Sequence, residues 1–313
     1  MNTLTKLLSA VVAGSLLLMG TAQAEYPDKP VSFVVPWPPG DLEDLLTRMI
    51  ADEFQATYGM AAAVVNKPSG GGGPFPGAME VANAPADGSM VGSFVIGVPV
   101  VGPLVDEIPI QADTFEPLGI FLTYPFVIAT SMDAPYKSME ELAEYAKSND
   151  VALGHFGPPL VPTKVTLALA KSMGFSYASD AAFDNLDCNS LASGDADVIN
   201  TTIQLVLPCL DKVRILASVT DDPISLAPDA PTTASLAPEL AITLWNGLFV
   251  RSGTADDVKE KIIAAAKKAV LGDKAQKLAK DTGAQVYWMD AEASKAQIMK
   301  DTETFKRIGQ MLN

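Results

Sequence analysis

Short apolar runs rich in β-branched residues alternate along the chain with stretches in which apolar positions recur every three or four residues. The first run is Val31–Val35, and it ends at a turn rich in proline and glycine, Pro36–Gly40. The apolar positions that follow at helical spacing are Leu42, Leu45, Leu46, Met49, Ile50 and Phe54. This period predicts a helix. Strands and helices that alternate in this way indicate parallel βαβ units.

The same alternation predicts the remaining elements. The predicted strands after the first are Ala62–Val65, Met90–Ile96, Leu118–Thr130, Val151–Leu153, Ala196–Asn200 and Val213–Ser218, and Trp245–Gly247 stands at the end of another. The predicted helices after the first are Gly77–Ala84, Ser138–Lys147, Thr163–Met173, Ala255–Leu271 and Ala291–Met311, with Ser138 and Thr254 as caps. We therefore expect an α/β protein of two lobes. Ligands of open parallel sheets bind beyond the carboxyl ends of the strands.

The N-terminal segment Met1–Ala24 has the features of an export signal. It carries one positive charge, Lys6, then an apolar run from Leu7 to Met19, and it closes on Ala22-Gln23-Ala24. The run is shorter than the roughly 20 apolar residues of a membrane-spanning helix. No cysteine stands at the cleavage point, so we expect no lipid anchor. The alternative is an ordinary buried first helix.

Composition narrows the function classes. A length of 313 residues suggests about two domains. The formal net charge of -15 disfavours nucleic acid and anionic membrane surfaces as partners. A single histidine and two cysteines argue against a zinc site. In an oxidising compartment Cys188 and Cys209 can form a disulfide, and two buried free thiols are the alternative.

Several motifs invite a chemical interpretation. The backbone N–H groups of the Pro36–Gly40 turn and the helix start after it form a potential anion site, or a purely structural turn. Asp44 and Arg48 are spaced for a salt bridge. The glycine run at 70–73 is followed by no Gly-Lys-Ser/Thr, so it predicts a flexible loop lining a cleft. His155 has no Gly-x-Ser-x-Gly nucleophile to serve, which favours a hydrogen-bonded loop histidine.

The order of short motifs along the chain resembles the substrate-binding proteins of tripartite tricarboxylate transporters, the TctC or Bug family. The matching segments are Tyr26–Pro30, Val34–Trp37, Pro39-Gly40 with Asp44 and Arg48, Val65–Pro68, Ala86–Gly88, Ser193–Asp197, Arg214–Ala217, Ala230–Thr232 and Trp245–Leu248. The resemblance covers nearly the entire chain after the predicted signal peptide.

The resemblance implies a type II periplasmic binding protein. It implies two lobes, each with a mainly parallel sheet flanked by helices, joined by crossover strands. Residues 25–125 plus 243–313 would form lobe 1 and residues 126–242 lobe 2. The residues it implies for ligand binding are Trp37, Pro39, Gly40, Asp41, Ile96, Gly97, Val98, Gly157, Pro158, Asp184 and Trp245, with Asp44 and Arg48 as structural neighbours. Trp245 either stacks on a ligand or fills the core, and we favour the ligand.

The sequence departs from the family pattern at the expected site. A glycine is replaced by Asp41 and a small or hydroxylic residue by Glu43, which would repel a bound carboxylate. The loop after the third strand is apolar, and the second-lobe loop contains Pro158, which removes an amide donor. We therefore expect a monocarboxylate, or an acid with an aromatic, long aliphatic or amine-bearing part, rather than citrate.

The implied function is capture of a small organic acid in the periplasm and its delivery to the membrane subunits of a tripartite tricarboxylate transporter. The protein would act as a monomer, without a cofactor or a metal. An alternative is a periplasmic sensor that presents its ligand to a membrane kinase. An exported hydrolase is disfavoured because the sequence has no Ser/His or Cys/His motif.

Overall fold

The computed structural model of the chain describes residues 25–68, 73–183 and 185–313. The predicted signal peptide, most of the glycine run and the candidate ligand residue Asp184 lie outside the described residues. Within them, no helix combines the length and the apolar character needed to cross a membrane.

The described residues form eleven strands. These are Val31–Val35 (β1), Ala62–Asn66 (β2), Met90–Val95 (β3), Phe115–Thr123 (β4), Phe126–Ser131 (β5), Ala152–His155 (β6), Ser179–Ala182 (β7), Val198–Thr202 (β8), Val213–Ser218 (β9), Trp245–Arg251 (β10) and Gln285–Asp290 (β11). One sheet has the order β11-β4-β10-β3-β1-β2, and the other has the order β7-β6-β8-β5-β9. Two separate sheets confirm the predicted two-part α/β architecture.

Ten α-helices surround the sheets in the described part of the chain. These are Leu42–Tyr58 (α1), Phe75–Asn83 (α2), Met139–Tyr145 (α3), Val161–Ser172 (α4), Cys188–Ala192 (α5), Ile203–Val206 (α6), Thr233–Leu236 (α7), Asp256–Val270 (α8), Asp273–Thr282 (α9) and Ala291–Leu312 (α10). Shorter helical segments are Gly97–Val101, Gly102–Leu104, Leu207–Lys212 and Pro238–Leu240, of which the first is π-helical.

The sheets are mixed rather than mainly parallel, which corrects the prediction. Strand β1 pairs in parallel with β2 and β3, and β6 pairs in parallel with β7 and β8. The strands that carry the chain between the sheets, and their neighbours, pair antiparallel. Strands joined by a βαβ unit run parallel because a helix returns the chain to the same end of the sheet. Strands that carry the chain from one sheet into the other have no such return, so they run antiparallel to the strands of the βαβ units.

Three further predictions about elements are wrong in detail. The predicted strand Leu118–Thr130 is two strands in different sheets, divided at Tyr124-Pro125. Trp245 begins β10 rather than ending a strand, because residues 241–244 before it form no regular secondary structure. Thr254 does not cap α8, since its hydroxyl donates to the Arg251 carbonyl oxygen at 2.7 Å and Ala255 is the N-cap residue. The capping prediction at Ser138 is confirmed, because its Oγ accepts the Glu141 N–H.

The registers place the carboxyl ends of β3, β4 and β8 beside the segments that join the two sheets. Asn246 of β10 pairs with Val95, near the carboxyl end of β3, and with Leu122, near the carboxyl end of β4. In the second sheet Phe126, which starts β5, pairs with Thr202, which ends β8. The loops after β1 and β3 in one sheet and after β6 in the other therefore lie at the edges that adjoin the crossover. The lobe boundaries at residues 125–126 and 242–243 stay a prediction.

Cys188 and Cys209 form a disulfide with a Cα–Cα distance of 6.0 Å across 21 residues of sequence. The bond connects the start of α5 to the segment that precedes β9. Of the two alternatives predicted for these cysteines, the structure shows the disulfide, and the described residues contain no free cysteine.

Candidate functional site

The loop after β1 is shaped by one glycine. Gly40 has a φ of +104°, a conformation that favours glycine because it lacks a Cβ atom. In this conformation its N–H donates to Asp44 Oδ2 at 2.9 Å. Pro39 and Gly40 are exposed and Trp37 is half-buried. The Trp37 indole N–H is shielded from solvent and has no hydrogen-bond partner in the described structure.

Asp44 is the structural anchor of this loop. Its carboxylate is almost fully buried and accepts hydrogen bonds from Arg48 at 3.0 and 2.9 Å and from Asn66 Nδ2 at 2.8 Å. Burial opposes ionisation, but these hydrogen bonds and the Gly40 N–H outweigh it and hold the pKa of Asp44 below its usual range. The predicted Asp44–Arg48 salt bridge is present.

Asp41 occupies the N-cap position of α1 without capping it. An aspartate here normally accepts an N–H of the first turn, but its side chain makes no such bond. The carboxylate is half-buried and has no ion-pair or hydrogen-bond partner among the described residues. Burial, together with the nearby Asp44 charge, raises the pKa of Asp41. The chain thus presents an acid at the loop that serves no structural bond.

Glu43 lies two residues after Asp41 and is buried, with 4% of its surface exposed. Its Oε2 lies 3.0 Å from the Tyr124 hydroxyl oxygen, and Tyr124 lies on the crossover between β4 and β5. Burial, with the nearby Asp41 charge, raises the pKa of Glu43 to about 8. Glu43 is therefore mainly protonated at neutral pH.

The hydrogen-bond count supports a protonated Glu43. The Tyr124 hydroxyl has one proton and two acceptors in reach, Glu43 at 3.0 Å and Asn246 Oδ1 at 3.3 Å. A protonated Glu43 can donate to the Tyr124 oxygen, which frees the Tyr124 proton for Asn246. Beyond it, Asn246 Nδ2 donates to Ser93 Oγ at 2.8 Å, and Thr47 Oγ1 lies 2.8 Å from the same oxygen. This buried chain of side chains links α1, β3, β10 and the crossover.

The loop after β3 is buried and apolar. Ile96 and Val98 have 4% and 0% of their surface exposed, and Gly97 begins the π-helical turn. The Ile96 N–H donates to the Trp245 carbonyl oxygen at 2.9 Å, which ties this loop to β10. Single π-helical turns occur often at functional sites. The ligand role of Ile96, Gly97 and Val98 stays a prediction.

Trp245 belongs to the core, and its predicted cleft-facing role is wrong. Its side chain has 1% of its surface exposed and stacks on Phe249 with ring centroids 6.4 Å apart. Its indole N–H donates to Asp301 Oδ2 at 2.7 Å. Burial raises the pKa of Asp301 to about 6. The indole is therefore part of the core in this structure and presents no face to a cleft.

The loop after β6 is held by the one histidine. His155 is fully buried, its Nδ1 accepts the Gly157 N–H at 3.0 Å, and its Nε2 lies 2.8 Å from Asp180 Oδ1. Since Nδ1 is an acceptor, this network assigns the proton to Nε2, which donates to Asp180. Thr163 Oγ1 donates to the Gly157 carbonyl oxygen at 2.7 Å. The predicted hydrogen bonding of His155 is confirmed, but the residue ends strand β6 rather than lying in a loop, and Pro158 of the following loop is exposed.

Sequence reasoning missed four polar residues of this region. Tyr124, Asn246 and Ser93 complete the chain around Glu43, and Asn200 is a fully buried amide in β8. Of these four residues, only Asn200 could have been noticed in the sequence, because it is an amide in a strand whose other residues are apolar or hydroxylic. The partners of Glu43 lie 50 or more residues away in sequence, so no local pattern connects them.

Two cavities flank these elements. One of about 90 Å³ lies at the crossover and is lined by Thr123, Tyr124, Pro125 and residues 220, 223–225 and 283–285. The other, of about 230 Å³, lies at the far end of β5 beside Tyr136 and Tyr145. Across residues 25–68, 73–183 and 185–313, no group of three or more His, Cys, Asp or Glu side chains is placed to hold a metal ion.

Comparison with protein families gives one match across most of the chain. The family described as "Tripartite tricarboxylate transporter family receptor" matches residues 46–313. A protein of Pseudomonas sp. (strain P51), described as a UPF0065 protein in the tcbD-tcbE intergenic region, is 25% identical over 319 aligned residues, which cover 95% of this chain and 92% of the relative.

Solved structures are similar over the same length. The periplasmic binding protein BugD has 25% sequence identity and a TM-score of 0.76, covering 91% of this chain and 99% of BugD. MatC from Rhodopseudomonas palustris with bound malate has 23% identity and a TM-score of 0.76, covering 92% of this chain and 100% of MatC. The second likeness concerns the fold alone.

Proposed function

We propose, because this chain belongs to the tripartite tricarboxylate transporter receptor family, that it is an extracytoplasmic solute-binding protein which captures a small organic acid between its two lobes. The captured acid would be delivered to the membrane subunits of a tripartite tricarboxylate-type transporter. Binding would favour a closed arrangement of the lobes, because a ligand shifts such an equilibrium only by its preference for one state. The description of the family as a tricarboxylate transporter receptor supports an acid as the ligand.

The observation that carries the ligand class is the unpaired acid at the first-lobe loop. Asp41 has no partner among the described residues, and Glu43 is buried beside the crossover at Tyr124. A ligand carboxylate about 5 Å from an ionised Asp41 would be disfavoured by roughly 3 kcal/mol at an effective dielectric constant near 20. That penalty falls on each acid group placed near this loop. The ligand therefore has a single acid group, or an acid group at one end only.

The rest of the ligand is apolar or bears an amine. The loop after β3, with Ile96 and Val98, is apolar and supplies no polar side chain, and Pro158 has no N–H to donate in the second-lobe loop. An amine or hydroxyl placed near Asp41 would supply the donor that this carboxylate lacks. Citrate, with three acid groups, fits these conditions poorly.

A six-carbon series tests this proposal on the mature chain. Hexanoate, 6-aminohexanoate and adipate have the same length and differ only at the far end, and citrate is added as the comparison. Thermal shift followed by calorimetric titration should rank 6-aminohexanoate or hexanoate above adipate and citrate. A ligand at 100 times its dissociation constant stabilises by about 2.7 kcal/mol, which thermal shift detects readily. Tight citrate binding with no response to the other acids would contradict the proposed ligand class.

Delivery to a permease is tested in the source cells. Deletion of the gene should abolish uptake of the isotopically labelled acid that the purified protein binds, and a plasmid copy should restore it. Uptake that survives deletion, together with loss of a transcriptional response to the acid, would favour the sensory alternative instead.

A further inference from the structure

The cavity of about 230 Å³ beside Tyr136 lies at the end of the second sheet that is remote from the crossover. Thr130 lines it near the end of β5, about 13 Å along the strand from Phe126, where the chain enters the sheet. Thr130 pairs with Val198 at the start of β8, so the cavity adjoins the amino ends of the parallel strands β6 and β8. A cavity of roughly 150 Å³ holds benzene, so this one has room for a small organic molecule.

The hydroxyl of Tyr136 is a buried donor that lines this cavity without a close acceptor. Tyr136 has 2% of its surface exposed, and in the described structure its hydroxyl has only Thr130 Oγ1 near it, at 3.5 Å. An O–H···O hydrogen bond is ordinarily roughly 2.5–3.0 Å long, and Thr130 gives its own proton to the Asp197 carbonyl oxygen at 2.7 Å. Burial raises the pKa of Tyr136, so the hydroxyl keeps its proton. Because buried hydroxyls are normally hydrogen-bonded, this donor indicates an acceptor on a bound molecule.

Two tyrosine rings form an aromatic wall of the cavity. Tyr136 follows β5 and Tyr145 ends α3, and their ring centroids lie 5.3 Å apart with the ring planes inclined by 50°. The negative face of an aromatic ring attracts a cation placed within about 6 Å of its centroid. The wall therefore favours an organic cation over an anionic molecule.

Three aspartates, Asp133, Asp150 and Asp197, line the same cavity. None of them forms an ion pair in the described part of the chain, and Asp197 accepts the Ala152 N–H at 2.8 Å. The described carboxylates here are not placed to hold a metal ion together. Their charge therefore suits an organic cation, which is larger than a metal ion and needs no close ring of ligand atoms.

The positively charged residues of the neighbouring segments do not neutralise these aspartates. Lys147 is paired with Glu144 at 2.5 Å, and the Arg214 guanidinium donates to a backbone carbonyl oxygen at 3.3 Å. Lys137 and Lys212 form no ion pair within the described residues. The cavity thus combines an aromatic wall, unpaired negative charge and one buried donor.

We propose that this cavity is a second ligand site, which binds a small organic ammonium ion that carries a hydroxyl or carbonyl oxygen. The ammonium group lies against the rings of Tyr136 and Tyr145, near Asp133 and Asp150, and the oxygen accepts the Tyr136 hydroxyl. The same aspartates repel a carboxylate, so the cavity excludes the acids proposed for the loops beside the crossover. The inference goes beyond the proposed function and does not depend on it.

Choline and 3,3-dimethylbutan-1-ol are a matched pair of probes, because they have the same shape and differ in charge. In the ¹⁵N-labelled mature chain at constant ionic strength, choline should shift the N–H signals of Ala134 and Gly194, which both line the cavity, in a saturable way. The neutral alcohol should need at least about ten-fold higher concentration for the same shifts. An equal response to the alcohol, or choline shifts confined to Gly40 in the first-lobe loop, would overturn the site.

A pair of double variants separates this site from a general attraction to an acidic surface. Asp133→Asn with Asp150→Asn removes two charges about 6 Å from the ammonium group, so choline should bind about ten-fold more weakly. All these side chains are exposed, so the fold should be kept. Asp222→Asn with Asp229→Asn is the control, since it removes the same charge from exposed positions after β9 and should bind choline like the wild type. Equal losses in the two double variants would contradict the proposal.

Tyr136→Phe tests the hydrogen bond apart from the charge. The variant keeps the ring and loses the hydroxyl, so choline should bind several-fold more weakly. Tetramethylammonium has no oxygen for this hydroxyl to donate to, so its affinity should be the same for the variant and the wild type. Unchanged choline binding, or equal losses for both cations, would show that the Tyr136 hydroxyl does not hold the ligand as proposed.

Discussion

Replacement of Glu43 by glutamine should make the protein more stable at neutral and alkaline pH. The pKa of Glu43 is about 8 in the folded chain, against an ordinary value of 4.5. The folded state therefore holds a proton that the unfolded state releases between these two pH values. The contribution of Glu43 to the free energy of unfolding is therefore complete below pH 4.5 and is lost as the pH rises to 8. Glutamine resembles the protonated acid and has nothing to titrate.

The magnitude follows from the shift. The free energy of unfolding of the wild type falls by about 1.4 kcal/mol per pH unit between the two pKa values. This amounts to roughly 3 kcal/mol at pH 7 and roughly 5 kcal/mol above pH 8. Glu43→Gln should match the wild type near pH 4.5 and exceed it in free energy of unfolding by these amounts at higher pH. Partial rearrangement around an ionised Glu43 would reduce the values without changing their sign.

Urea unfolding of the mature chain at intervals from pH 4.5 to 8.5 measures this difference. Glu140 is an exposed acid on α3, so Glu140→Gln is the matched control and should keep the wild-type dependence. The reasoning is refuted if Glu43→Gln and the wild type lose stability in parallel across this range. That result would mean that Glu43 is ionised in the folded chain.

Three further changes test the fold and the site. Reduction of the Cys188–Cys209 disulfide should lower the free energy of unfolding by about 3 kcal/mol, seen as a lower melting temperature with reductant; an unchanged melting temperature would contradict this. Trp245→Phe leaves Asp301 without its indole donor, so it should cost about 1–3 kcal/mol in urea unfolding and leave ligand affinity unchanged; lost affinity with intact stability would restore Trp245 to the site. Asp41→Asn should improve adipate binding relative to hexanoate by about a hundred-fold in calorimetry, and no change in that ratio would place Asp41 outside the site.

The early part of the fold was predictable because its signals are local. The run Val31–Val35 is buried at four of five positions, so it reads as a parallel strand covered on both faces. The helix after it follows from apolar spacing alone. The crossover at Tyr124-Pro125 was not predictable in this way, since the apolar pattern continues across it while the chain changes sheets. Strand β11 was missed because it is a short segment between two amphipathic helices.

For the candidate site, the sequence could predict which loops to consider but not how their side chains interact. Family motifs point to the loops at Trp37–Asp41 and Gly157-Pro158, and the ligand role of these loops stays a prediction. The hydrogen bonding of Glu43 depends on Tyr124 and Asn246, which the fold brings together from distant segments. Trp245 was misplaced because an aromatic residue beside a loop looks the same in sequence whether it faces a ligand or the core. Its buried partner Asp301 lies 56 residues away.

The two helix starts near the crossover differ in how their N–H groups and dipoles are used. At α1 the first turn contains Glu43 and Asp44, and Asp44 takes the Gly40 N–H and both Arg48 contacts. The positive end of α1 is thus neutralised by the chain's own acid, which leaves Glu43 without a compensating charge and favours its protonated form. The first turn of α4 contains no acid at all. The two helix starts therefore differ in charge: the start of α1 carries the chain's own acids, and the start of α4 carries none.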